Sequence, residues 1–339
     1  MSAIAGSADS ASPPPYARLT PDLVLNAIDS VGLRTSGTLL ALNSYENRVF
    51  QVGIEDEAPV VAKFYRPGRW SNEQILEEHS FIAELETFEI PAVVPLELHG
   101  RTLNTHEDFR FAIFPRRGGR APNLDDRTVL EWLGRFLGRI HAVGAIRSFD
   151  ARPALDIESF GREPLTYILS HDLLPADLRE VYAGVAQHAL AEVERCYERA
   201  GTVAHIRLHG DVHEGNVLWA DSAGQVGPHF VDFDDSRTGP AVQDLWMLLG
   251  ADRDEQTRRL AALVDGYEEF RDFDRRELHL VEALRTLRLL HYSAWIARRW
   301  HDPAFPAAFP WFGEARYWEA RVLELREQIA AMQEPALIV

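Results

Sequence analysis

The chain has 339 residues, 46% of them hydrophobic and 26% charged, and its 52 acidic and 35 basic side chains leave a formal net charge of −17. This is the composition of a globular protein long enough for two packed units. So acidic a surface repels phosphate backbones and anionic lipid, which excludes nucleic acid and membrane as main partners.

The single cysteine, Cys196, rules out an internal disulfide and a cysteine-based zinc site. No apolar run reaches the roughly 18 residues of a membrane span. Met1 to Pro15 is small and polar, without the basic and apolar regions of a secretory signal, so a flexible tail (1–16) on a cytoplasmic monomer is expected.

Thr20 to Val31 reads as a helix, with Thr20 as cap and Pro21 in its first turn. Two β-like runs, Gly37–Leu42 and Arg48–Ile54, flank the polar turn Asn43-Ser44-Tyr45-Glu46-Asn47, and a third strand carries Lys63. Ser71–Leu85 is helical, with Ile75, Phe81, Ile82 and Leu85 as its apolar positions. Pro91–Leu98 and Phe109–Pro115 are two more expected strands. After the linker Arg116–Pro122 the apolar period becomes helical. Val129, Leu130, Leu133, Phe136, Leu137 and Ile140 mark a helix started by Asp125 or Asp126 and stopped near Gly144; others cover about 176–200, 252–270, 275–300 and 314–332. One β-rich insertion, Ile206–Asp235, lies among them. The expected fold is α+β in two lobes, a β-rich N-lobe (17–115) and a larger helical C-lobe (116–339).

Of the 35 basic residues only Lys63 is lysine. Arginine is a wide planar fork and lysine a compact point charge, so a lysine kept inside the apolar run Val60–Tyr65 is a functional candidate. In the insertion, His209-Gly210-Asp211-Val212-His213-Glu214-Gly215-Asn216 is followed, beyond a turn containing Gly224 and Gly227, by Phe230-Val231-Asp232-Phe233-Asp234-Asp235. Phosphoryl transfer needs one carboxylate to take or orient a hydroxyl proton, and oxygen ligands to hold Mg²⁺ against the phosphates. Asp211, Asn216 five residues on, and Asp232 after a hairpin have the spacing of a kinase catalytic loop.

These residues carry a resemblance. The segments match the H-G-D-x-H-x-x-N and I/V-D-F-D-D patterns of the aminoglycoside phosphotransferase and choline kinase branch of the protein-kinase-like superfamily. Within that branch the chain is similar to the bacterial stress response serine/threonine kinases, through Leu42–Val49, Lys63–Pro67, Gln74–His79, Gly239–Trp246 and Asp302–Pro306. The resemblance runs from about residue 20 to the C-terminus. It implies a protein-kinase-like fold and an ATP- and Mg²⁺-dependent transfer to a serine or threonine of a protein substrate. Residue by residue it implies Asp211 as base, Asn216 and Asp232 as Mg²⁺ ligands with Asp232 also in the active site, and Lys63 on the nucleotide phosphates. It further implies Glu78 as the ion-pair partner of Lys63, Ser44 in the phosphate-covering turn, and Asp244 as the buried support of the catalytic loop.

The sequence departs from the protein kinase pattern in two ways. The phosphate-covering turn has no glycine triplet, so Ser44 rests on the resemblance alone. Position 210 is glycine where the protein kinase pattern H-R-D has arginine, and 11 residues separate Asp232 from Asp244, which leaves no room for a long activation segment. Regulation by phosphorylation of that loop is therefore not expected. The residues alone specify transfer to a hydroxyl, so an aminoglycoside, choline, homoserine or sugar kinase and a nucleotide-binding pseudokinase are the rival readings.

Simpler roles are expected elsewhere. His209 and His213 read as hydrogen-bonding loop histidines and not zinc ligands, Asp234 and Asp235 as a solvated acidic turn, and Cys196 as a packing residue. Trp295, Trp300, Trp311 and Trp318 read as core or groove wall. Of the adjacent Glu77 and Glu78, the apolar spacing favours Glu78 as the inward one.

Overall fold

The computed structural model describes residues 14–222 and 225–339; most of the expected tail and Gly224 lie outside them. The Thr20 hydroxyl accepts the Leu23 N–H at 3.2 Å and opens α1 (Pro21–Asp29), with proline in its first turn, where no N–H is missed. Then come β1 (Thr35–Leu42), β2 (Arg48–Ile54), β3 (Val60–Phe64), α2 (Asn72–Thr87), β4 (Asn104–His106) and β5 (Phe109–Pro115). The strands form one antiparallel sheet in the order β1-β2-β3-β5-β4, with Lys63 opposite Val49 on one side and Ala112 on the other. Side chains alternate across the sheet. Val60, Ala62 and Phe64 pack with Val24 and Ile28 of α1 in one core, which leaves Lys63 on the other face, under α2.

Two sequence expectations fail here. Pro91–Leu98 is an extended connector and not a strand: it makes isolated backbone pairings with Phe230 and Ile113. Pro91 and Pro95 have no N–H to give a ladder. The strand in its place is β4, three residues long and too short for alternation to reveal it.

The chain leaves β5 along Arg116–Pro122, where Arg120 exchanges two backbone hydrogen bonds with Trp219. Asp126, and not Asp125, caps α3 (Arg127–Gly144). There follow α4 (Glu163–Ser170), entered through a π-helical turn at Glu158–Arg162, then α5 (Arg179–Ala200), β6 (Ile206–Leu208), β7 (Val217–Ser222), β8 (Gln225–Phe230) and β9 (Arg237–Gly239). The rest is α6 (Gln243–Trp246), α7 (Arg253–Tyr267), α8 (Val281–Arg298), α9 (Ala304–Ala308) and α10 (Ala315–Gln333). The helix expected over 275–300 begins as a 3₁₀ turn, Arg275–Leu280. α4, α6 and α9 were not foreseen; each has eight residues or fewer, too few to show a period.

α3 and α7 touch backbone to backbone, since a Cβ on Gly134 would lie 2.0 Å from the Leu263 carbonyl oxygen. β6 pairs with β9, and β7 with β8, as two small antiparallel ribbons. Phe81, Ile82 and Leu85 of α2 belong to the core of the helical lobe, so α2 bridges the lobes. No helix among the described residues is long and apolar enough to cross a membrane.

Candidate active site

The β6–β9 ribbon and the β7–β8 hairpin enclose a loop held from beneath by one buried carboxylate. Asp244 is inaccessible to solvent. Its Oδ1 accepts the Gly210 N–H at 2.8 Å, and its Oδ2 accepts the His209 N–H at 2.9 Å and faces His141 Nε2 at 3.0 Å. Gly210 has φ +88°, and a Cβ there would meet the Asp235 carbonyl oxygen at 2.2 Å. Glycine at this position is a steric requirement. The loop presents Asp211, whose Oδ1 accepts from Arg288 at 2.6 Å, while the Asn216 amide donates to the Asp211 carbonyl at 2.9 Å. Burial pushes the Asp211 carboxyl up, but a hydrogen bond from His213 and the Arg288 charge hold it below the usual carboxylate range.

Lys63 lies among three carboxylates brought from distant segments. Its Nζ is 3.1 Å from Asp232, 3.0 Å from Asp234 and 3.6 Å from Glu78. Burial disfavours the ammonium, yet Asp234, Glu78 and Asp232 together raise its pKa well above the usual lysine value, so it stays charged. Glu78 is the inward residue of the pair and is also held by Arg152 at 3.1 Å. Glu77 faces outward and accepts the Ala151 and Arg152 N–H groups at 3.0 and 2.8 Å. Asp232 occupies the left-handed region at φ +61°, which an aspartate tolerates, and its side chain is 53% exposed.

The expectation that Asp234 and Asp235 form a solvated turn is wrong. Asp234 is 3% exposed. Burial pushes its carboxyl up, but Arg69 and Lys63 bring it down to about 2. Asp235 bridges Arg69 at 2.7 Å and Arg237 at 3.0 Å. The compensating arginines come from the far lobe and from the ribbon, which no local pattern announces.

Two cavities meet at this point. One, of about 420 Å³, runs under the sheet past Val61, Lys63, Ile82, Phe114 and Asn216. The other, of about 360 Å³, lies on the Asp211 side against α8. Asp232 and the Asn43-Ser44 turn line both. Glu46 holds that turn down: it accepts from Trp295 Nε1, pairs with Arg299 at 2.6 Å and lies 3.6 Å from Arg66. Tyr45 packs on Phe309 with ring centroids 4.9 Å apart. Of the tryptophans, Trp318 is core and Trp295 is cavity wall.

The structure thus gathers Ser44, Lys63, Glu78, Asp211, Asn216 and Asp232 around one junction. The sequence reading missed Glu46, Arg69, Arg152, Asp234 and Arg288. A signal existed for the last, since Arg288, His291, Tyr292 and Trp295 fall at helical spacing and so share one face of α8.

The donor set fits a hard divalent ion shared with phosphate. Asn216 uses its amide N–H toward Asp211, which leaves its oxygen free, and Asp232 is accessible. No group of three or more His, Cys, Asp or Glu side chains able to hold a metal occurs among the described residues. Mg²⁺ is commonly held by only one or two protein ligands plus phosphate oxygens. His209 is occupied elsewhere, its Nε2 lying 2.9 Å from the Val231 carbonyl oxygen and its ring against Phe233.

Comparison with known proteins agrees with this architecture. Residues 38–281 match the phosphotransferase enzyme family. The chain is 43% identical to stress response kinase A of Escherichia coli (strain K12) over 322 residues, 95% of this chain and 96% of that protein. It is 42% identical to the serine/threonine protein kinase RdoA of Salmonella typhimurium (strain LT2), with the same coverage of both chains. Among solved structures, amicoumacin kinase hAmiN in complex with AMP-PNP, Ca²⁺ and Ami superposes with a TM-score of 0.71 at 18% identity, over 92% of this chain and 93% of that one. The microcompartment-associated aminopropanol kinase gives 0.70 at 18%, over 92% and 98%. With its two-lobed protein-kinase-like fold and its full-length likeness to these kinases, the chain belongs to the phosphotransferase enzyme family.

Proposed function

We propose that the chain transfers the γ-phosphoryl group of Mg·ATP to a serine or threonine hydroxyl of a protein, with the N-lobe (17–115) holding the phosphates and the C-lobe (116–339) the acceptor. One observation carries the reading: a Lys63-lined cavity and an Asp211-lined cavity share Asp232 at their junction. Mg²⁺, held by Asn216 and Asp232, would supply positive charge against the phosphates. Lys63 would grip the phosphates, oriented by Glu78, and the Asn43–Asn47 turn with Ser44 would cover them. Asp211 would accept the hydroxyl proton as the acceptor oxygen bonds to the γ-phosphorus and the bond to the β-γ bridging oxygen breaks, releasing ADP. The names of the full-length relatives support a protein acceptor and a role in a stress response.

A second reading, a small-molecule acceptor, is favoured by the roof over the Asp211-side cavity, where Glu46 pins the turn against Trp295 and Arg299. Incubation with labelled ATP and Mg²⁺, alone and with casein-like proteins or small alcohols, separates the two. Label on serine or threonine is the expected result. Turnover only with a small alcohol replaces the protein acceptor, and no turnover at all overturns phosphoryl transfer.

A further inference from the structure

One face of α8 forms the inner wall of the Asp211-side cavity, and it carries Arg288, His291, Tyr292 and Trp295. Arg288 differs from the other two arginines that line this cavity. Arg69 is enclosed by Asp234, Asp235 and Glu46. Arg237 is buried against Asp235, donating to both its carboxylate and its carbonyl. The Arg288 side chain is 41% exposed and, among the described residues, has one partner, Asp211 Oδ1 at 2.6 Å. A guanidinium has five N–H donors in a planar fork, so most of its capacity is left for a bound molecule. Of the carboxylates that line the cavity, Glu46 is taken by Trp295 and Arg299 and Asp234 and Asp235 by Arg69, while Asp211 and the exposed Asp232 are the proposed base and Mg²⁺ ligand and are not left for the acceptor. The spare recognition capacity of the cavity is that of a cation able to bind a carboxylate two-pronged.

We propose that Arg288 selects the acceptor by binding a carboxylate carried beside the reacting hydroxyl, and that this carboxylate draws Arg288 away from Asp211. The proposal rests on the phosphoryl-transfer reading above. On a protein the acceptor is a serine or threonine next to an aspartate or glutamate; a free 3-hydroxy acid presents the same chemistry. Arg288 is a specificity-determining residue in this arrangement, and Asp211 remains the base.

The test uses the full chain and two matched pairs of acceptors. One pair is a serine peptide with aspartate beside the serine and its asparagine twin; the other is a 3-hydroxy acid and its amide. Binding is measured by calorimetry with Mg·AMP-PNP present, and turnover with Mg·ATP. A charge-assisted pair predicts that the acidic member is favoured about 10-fold or more. Arg288→Gln removes that preference, chiefly through KM, and Arg288→Lys restores only part of it. Preference for the hydroxy acid with both peptides inert upholds Arg288 and overturns the protein acceptor. A binding preference without any turnover upholds Arg288 and overturns phosphoryl transfer. Equal binding of acidic and neutral members, or a preference that survives in Arg288→Gln, overturns the proposal.

Discussion

Arg66 and Asp302 meet across the lobes in a buried ion pair, Nη2 to Oδ2 at 2.8 Å, although 236 positions separate them in the chain. Each is about 5% exposed, and Glu46 stands 3.6 Å from the same guanidinium. Removing one member of a buried pair leaves the other charge without compensation and costs about 3–5 kcal/mol. Asp302→Ala should therefore destabilise the protein by about 3 kcal/mol in urea unfolding, at the low end because Glu46 remains. The double variant Arg66→Met with Asp302→Leu should recover most of that loss. A single-variant cost below about 1 kcal/mol would mean that water screens the pair.

Lys63 fills a slot bounded by Asp232, Asp234 and Glu78. Lys63→Arg keeps the charge but needs room for a planar fork that three close carboxylates do not leave. Turnover should fall by about 100-fold or more, with the unfolding midpoint close to that of the parent. Glu78 keeps Arg152 and Asp234 keeps Arg69, so the fold survives. Near-normal turnover in the arginine variant would remove Lys63 from the phosphate site.

Asp211 and Asp232 have different proposed tasks and should separate on substitution. Asp211→Asn removes a positioned base, worth about 10²–10⁴ in rate, and should leave Mg·ATP affinity nearly unchanged. Asp232→Ala should lower both affinity and turnover, with partial rescue by raised Mg²⁺. Calorimetry with Mg·ATP decides the matter. Lost nucleotide binding in Asp211→Asn together with intact binding in Asp232→Ala would reverse the assignment.

Gly210→Ala combines φ +88° with a Cβ 2.2 Å from the Asp235 carbonyl oxygen. Left-handed strain alone costs about 1–3 kcal/mol, and relief of the clash must move either the Asp211 loop or the Asp235 turn. Turnover should drop more steeply than stability, as read from kcat beside thermal unfolding. An alanine variant with unchanged kcat would show that the loop can shift without harm.

Glu277 gives a pH signature. It is 3% exposed and accepts the Val242 N–H at 2.8 Å; burial raises its carboxyl to about 7. The folded state thus holds this proton more tightly than the unfolded chain. The contribution is fully present below the unfolded value of about 4.3 and is lost as pH rises through about 7. Stability should fall by about 1–3 kcal/mol across that window, to be measured by denaturant unfolding at several pH values. Glu277→Gln keeps an acceptor for Val242 and should flatten the profile. An equally sloped profile in the glutamine variant would assign the proton elsewhere.

What the sequence determined by itself is whatever short-range backbone rules encode. The Asp211–Asn216 interval, the hairpin before Asp232, the capped helices and the apolar strand run that carries Lys63 all follow from spacing within a few residues. Those rules fail for Pro91–Leu98, where prolines look extended but have no N–H to donate to a ladder, and for β4 and α4, which are too short to show a period. Tertiary structure alone decided which charges meet. Arg69 reaches Asp234 and Asp235 from 165 and 166 positions away, and Arg288 reaches Asp211 from 77. The Asp234 carboxylate reads as solvated in the sequence and is buried in the fold, because its counter-charges come from the other lobe. A buried carboxylate survives only where a distant cation is delivered to it, and that delivery is a property of the packed lobes, invisible in the local run of residues.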